Sequence, residues 1–106
     1  CAHTGSYRLL LPAASAGARQ TVSGLAPGRY ALWGWMITRG AEGEIRVGVP
    51  GGGEARATAA GEGWRRLELE FEVPAGGGEV VVSIAGTFGE QAGALVAAND
   101  LYLFRR

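Results

Sequence analysis

Apolar and polar residues alternate with a period of two along most of this chain, and the alternation breaks at clusters of glycine and proline. The clearest run is Trp64 to Val73. Leu67, Leu69, Phe71 and Val73 fall on one face, and Arg66, Glu68, Glu70 and Glu72 fall on the other. A half-buried antiparallel strand produces this pattern. Glu44 to Val49 repeats it, with Ile45, Val47 and Val49 set against Arg46 and Gly48. Ser6 to Leu11 reads as a first strand ended by Pro12, and Arg19 to Leu25 as a short strand around Val22. Glu54 to Ala60 is an Ala- and Thr-rich strand, and Glu79 to Ala85 is β-branched and reads as buried. Leu95 to Phe104 closes the chain, with Leu101 and Leu103 inward and Tyr102 and Phe104 outward. Residues 12–18, 39–43, 50–53 and 86–93 read as loops or turns, and a helical turn fits only in the Ala-rich pieces at 13–18 and 92–98.

The stretch from Leu25 to Thr38 organises the rest. Pro27 presets its own φ, and Gly28 supplies the positive φ that a type II turn requires. The strand that follows puts Tyr30, Leu32, Gly34 and Met36 on one face and Ala31, Trp33, Trp35 and Ile37 on the other. Both faces are apolar, which predicts a central strand with a core on one side. The other side carries two Trp rings two residues apart. Either protein covers them or a ligand uses them.

About eight short strands, turn signals every 8–12 residues and no convincing helix predict an all-β fold, an antiparallel β-sandwich. At 106 residues the chain reads as one domain spanning 1–106. Glycine is 19 of those residues, concentrated at 51–53, 61–63 and 76–78, where it punctuates strands. Ten basic residues balance ten acidic ones. This balance offers no electrostatic footprint for nucleic acid or an anionic membrane. A single Cys forms no intrachain disulfide. No apolar run is long enough to span a bilayer, and the chain contains no signal-peptide pattern.

The chain offers little catalytic chemistry. Neither a GxSxG elbow nor a phosphate-cradling glycine loop occurs. The single histidine, His3, would have to serve any Ser-His or Cys-His pair, and Cys1-x-His3 offers two metal ligands at a terminus. Glu68, Glu70 and Glu72 read as a solvated strand face answered by cross-strand arginines such as Arg8, Arg105 or Arg106. Trp64 reads as a core or rim plug. Trp33 and Trp35 are the candidate binding residues, because flat indole faces bury a large area at small entropic cost and keep an N–H for hydrogen bonding. Arg46, placed on a neighbouring strand, adds bidentate hydrogen bonds to hydroxyls or a carboxylate.

These residues carry a family resemblance. Gln20 to Met36 (QTVSGLAPGRYALWGWM) resembles the second and third strands of non-catalytic carbohydrate-binding modules with a galactose-binding-like jelly-roll sandwich. Trp64 to Phe71 resembles their Trp-then-alternating strand, Ala98 to Leu103 their closing strand, and Ala2 to Leu9 the stretch after their opening strands. Family members begin with a further strand, so the chain is either a fragment of a longer protein or a variant that closes its sandwich differently. The resemblance implies that a polysaccharide or glycan stacks on a concave sheet at Trp33 and Trp35, with Arg46 beside them. It implies no catalysis, and an extracellular or cell-surface location beside an appended enzyme domain. The family's structural calcium uses a late Asp, which Asp100 matches, and a carboxylate of the opening strand, which has no counterpart here. The alternative is a structural or protein-interaction sandwich whose Trp pair packs on a sister domain or a second copy.

Overall fold

The computed structural model describes residues 7–90 and 92–106. His3, Cys1 and the start of the first expected strand at Ser6 lie outside the described residues, as do the side chains of Tyr7 and Arg8.

Among the described residues six strands form one antiparallel network: β1 (Tyr7–Ser15), β2 (Arg19–Leu25), β3 (Gly28–Val49), β4 (Gly53–Val73), β5 (Gly78–Phe88) and β6 (Leu95–Arg105). β3 and β4 pair with each other from Gly28↔Val73 to Val49↔Gly53. The network folds over on these two long strands. The first half of β3 pairs with β6, and β6 pairs with β1; the second half pairs with β5, and β5 pairs with β2. The result is a two-layered antiparallel jelly-roll sandwich. Layer one is β1–β6–β3–β4, and layer two is β2–β5–β3–β4.

Two pairs of expected strands are therefore continuous. The segment 39–43 is not a turn but a bend within β3. The ladder slips by one residue between Thr38 and Ala41, where β3 spends one residue more than β4. Such a bulge sharpens the local twist and bends the strand. Gly40 and Gly61 both hold positive φ at the bend (58° and 94°), which an L side chain rarely adopts. The Thr38 hydroxyl donates to the Gly61 carbonyl at 3.0 Å, and the Gly40 N–H donates to the Glu62 carboxylate at 3.1 Å. Thr38 is thereby satisfied although it is buried.

The bulge also inverts the alternation. Before the bend the inward residues are Tyr30, Leu32, Gly34, Met36 and Thr38; after it they are Gly43, Ile45, Val47 and Val49. These residues meet Leu67, Leu69, Phe71, Val80, Val82, Ile84, Leu101 and Leu103 in one core. The layers touch closely near the bend, where a Cβ on Gly43 would lie 2.9 Å from Val96 Cγ1.

The Pro27-Gly28 step is not a type II turn. Gly28 has a φ of 146° and begins β3, whereas a type II turn needs about +80° there. The step carries the chain from layer two to layer one. It is held by Tyr30, whose hydroxyl donates to the Ala26 carbonyl (2.8 Å), and by Arg105, which donates to the Pro27 carbonyl (2.9 Å). Pro12 does not end β1. It lies between Leu11 and Ala13, which pair with Leu101 and Asn99, on an edge strand, where a missing N–H is tolerated. Neither Ala-rich piece is helical; both contribute to strands.

Candidate functional site

The outer face of layer one is built by three adjacent strands. β3 projects Trp33, Trp35 and Ile37, β4 projects Trp64, Arg66 and Glu68, and β6 projects Ala97, Asn99 and Tyr102. Register aligns them in rows: Tyr102–Trp33–Glu68, Asn99–Trp35–Arg66 and Ala97–Ile37–Trp64. Directly paired residues share a face, so all nine side chains belong to one surface.

The two expected indoles have different environments. Trp33 is half-buried between its neighbours. The Tyr102 ring stacks on it at 4.8 Å between centroids, and the Arg66 guanidinium lies 4.7 Å from its centroid. Tyr102 comes from β6 and Arg66 from β4, on opposite sides of β3, so Trp33 is flanked from both directions. Arg66 is in turn tied to Glu68 at 3.0 Å. Trp35 is 43% exposed and Trp64, diagonal to it on β4, is 53% exposed. Neither ring stacks on another among the described residues. Diagonal cross-strand neighbours lie about 7–8 Å apart, so the two rings are adjacent open platforms.

Trp64 is thus not a plug but half of the exposed pair. The signal for it was the register: an alternating strand that begins at Trp64, beside one that carries Trp35, puts both rings on one face. Leu9 and Leu95, also exposed, extend the apolar surface. Phe104 points outward as expected, yet it is buried next to Ala31.

Arg46 is elsewhere. It lies on the same strand as the Trp pair, beyond the bend, on the outer face of layer two among Arg56, Ser83 and Glu54. The bulge that inverts the alternation carries it there. Its Nε–H donates to Glu44 Oε1 at 2.7 Å, and this hydrogen bond, with the carboxylate's charge, raises the guanidinium pKa. Arg46 and Trp35 thus lie on the outer faces of different layers.

No protein-family model and no curated protein sequence matches the chain. Solved structures do match in shape. The C-terminal CBM6 module of the laminarinase LamC from the marine organism Zobellia galactanivorans superposes with a TM-score of 0.54 over 96% of this chain and 88% of that one, at 9% identity. A carbohydrate-binding module of lichenase 5A from Cellvibrio mixtus, solved with cellotriose, gives a TM-score of 0.50 over 96% and 86%, at 11% identity. The chain shares its fold with these CBM6 modules.

The remaining candidates settle simply. Glu68 and Glu70 lie on the solvated part of the layer-one face and pair with Arg66 and, at 2.8 Å, with Arg106. The expectation of an outer face answered by arginine holds, with Arg106 as one partner, while Arg105 binds the Pro27 carbonyl instead. Asp100 occupies the β6 bulge with a φ of 55°, a conformation Asp tolerates better than most residues. Calcium takes six to eight oxygens, and among the described residues no three His, Cys, Asp or Glu side chains gather to hold a metal.

Proposed function

We propose that the chain is a non-catalytic glycan-binding module whose ligand lies on the outer face of layer one. The observation that carries this reading is the pair of exposed indoles, Trp35 and Trp64, side by side on adjacent strands. Indole faces suit the C–H faces of sugar rings, and their edges keep an N–H for a hydroxyl. Asn99, in register with Trp35, supplies an amide donor and acceptor at the rim. Arg66, in register with Trp35, is ion-paired with Glu68, which suits an uncharged polysaccharide at that ring. Trp33 supports the platform and is not itself the contact. The cellotriose complex of a module of the same fold favours a glucan as the first ligand to try. Attached to an enzyme outside the cell, such a module raises the effective concentration of catalyst on its substrate.

Leu9 and Leu95 on the same face favour a second reading, in which a protein partner covers the patch. One experiment separates the two. Affinity electrophoresis of the chain on a panel of neutral polysaccharides should show retardation, and the double substitution Trp35→Ala, Trp64→Ala should abolish it. Unretarded parent protein that self-associates instead, or retardation that survives the double substitution, overturns the proposal.

A further inference from the structure

The outer face of layer two carries a feature that the aromatic platform does not explain. Arg19 on β2 pairs with Ser83 on β5, Ser83 pairs with Arg46 on β3, and Arg46 pairs with Arg56 on β4. One row running straight across the strands therefore presents three guanidinium groups and one hydroxyl. Adjacent strands lie about 4.8 Å apart, so the Arg19 and Arg46 backbones are roughly 10 Å apart with Ser83 between them.

Like charges directly opposite each other weaken a sheet, and two carboxylates answer this row. Glu44 binds Arg46 at 2.7 Å and Arg56 at 3.5 Å, and Glu54 binds Arg56 at 3.2 Å. No ion pair among the described residues involves Arg19. Three cations against two anions leave one positive charge unbalanced, at the Arg19 end. Glu44 is largely covered, with 14% of its side chain exposed, and holds Arg46 through Nε alone. A guanidinium has five N–H donors, so the Arg46 fork keeps its Nη protons for another acceptor.

The surface sinks at this row. The outward side chains of β5 are short (Val81, Ser83, Ala85), and β3 contributes Gly48, where a Cβ would meet nothing within 4 Å. The resulting groove has a volume of about 420 Å³ and runs between Arg19 and Arg46 over Ser83. Its walls carry the Arg19 and Arg46 guanidiniums and one carboxylate, Glu54, which is ion-paired with Arg56, and its floor offers the Ser83 hydroxyl. Such a site matches a planar or tetrahedral oxyanion, which accepts paired N–H bonds from arginine. It offers a neutral ring no aromatic face.

We propose that this groove binds the carboxylate or sulfate group of an acidic saccharide, seated over Ser83 between Arg19 and Arg46. The anion preference stands on the groove alone; that the anion is carried by a saccharide rests on the glycan reading of the module. The test is a two-dimensional NMR titration of the full chain at low ionic strength with trigalacturonate, a sulfated galactan oligosaccharide and neutral cellotriose. Either acidic oligosaccharide should move the amide signals of Arg19, Ser83 and Arg46, and cellotriose should not. Response to trigalacturonate alone assigns a carboxylate site, and response to the sulfated oligosaccharide alone a sulfate site. Arg19→Gln, which breaks no ion pair among the described residues, should weaken the acidic ligand about tenfold, the loss of one charge-assisted contact. Trp35→Ala with Trp64→Ala should leave it unchanged. Unmoved Arg19 and Ser83 signals with both acidic ligands, or full affinity in Arg19→Gln, overturns the proposal. Persistence of these shifts in a chain that binds no neutral glycan overturns the aromatic-face reading alone.

Discussion

Leu101→Ala should lower the unfolding free energy by about 2–5 kcal/mol, the range for emptying a buried leucine site, and Gly34→Ala by about 1–3 kcal/mol through overpacking. The two changes should not add. Leu101 is fully buried on β6 just after the bulge at Asp100. A Cβ on Gly34 would fall inside van der Waals contact of Leu101 Cδ2 and 3.1 Å from the Asp100 carbonyl oxygen. Gly34 is therefore glycine because β6 crosses close to β3 there, between the two tryptophans. Removing the leucine side chain makes room for the methyl group, and the methyl group fills part of the cavity. In the double variant Gly34→Ala, Leu101→Ala the summed loss should be smaller by at least 0.5 kcal/mol, the lower end of coupling for residues in contact. Urea unfolding of the parent, both single variants and the double variant provides the measurement. Additivity would show that close approach is not what demands glycine at 34.

The way the sequence encodes this arrangement explains which parts could be read from it. Period-two alternation placed the cores of the long strands correctly, because the buried residues of a sandwich must share a face, but not that of β1, where Leu10 is buried and Leu9 exposed. Leu67, Leu69, Phe71 and Val73 are buried as that rule requires, and Trp35 is outward as the same rule requires. The pairing of long strands was harder to see. Gly40, Gly43, Gly61 and Gly63 look like turn residues, but here they serve a bend through which pairing continues. The change of phase is visible in the sequence once it is sought: inward positions are even up to Thr38 and odd from Gly43 on. Reading 39–43 as a turn puts Arg46 on a strand beside the tryptophans, whereas the continuous, bulged β3 carries it to the outer face of layer two. Trp64 was missed for a related reason. Its even position already sets it outward with Arg66 and Glu68; what one strand's own pattern does not contain is the register that brings it beside Trp35. Pro27-Gly28 has the composition of a tight turn, yet the Tyr30 hydroxyl and Arg105 hold it open as a crossing between layers.

Trp33→Ala should cost stability, whereas Trp35→Ala and Trp64→Ala should cost binding, and this split is the sharpest consequence of the aromatic face. Truncating Trp33 removes the stack on Tyr102 and the contact with the Arg66 guanidinium. Aromatic pairing contributes about 0.5–1.5 kcal/mol beyond area burial, and an exposed cation–π contact about 0.5–1 kcal/mol. With the burial of a half-covered indole added, the loss should reach about 2–3 kcal/mol, roughly 10 °C in Tm for a domain of this size. Trp35 and Trp64 are exposed and stack on no other described residue. Their removal should move the unfolding free energy by about 0.5 kcal/mol or less each, as surface changes usually do. Each should weaken a stacked glycan about tenfold, which corresponds to some 1.4 kcal/mol per ring. Thermal unfolding and calorimetric titration with the best polysaccharide-derived oligosaccharide, run on the same three variants, read both quantities at once. Equal binding losses in all three variants with unchanged Tm would make Trp33 a third direct contact and overturn the buttress role. A loss of Tm confined to Trp33→Ala, with binding losses confined to the other two, is the pattern that a buttressed two-ring platform requires.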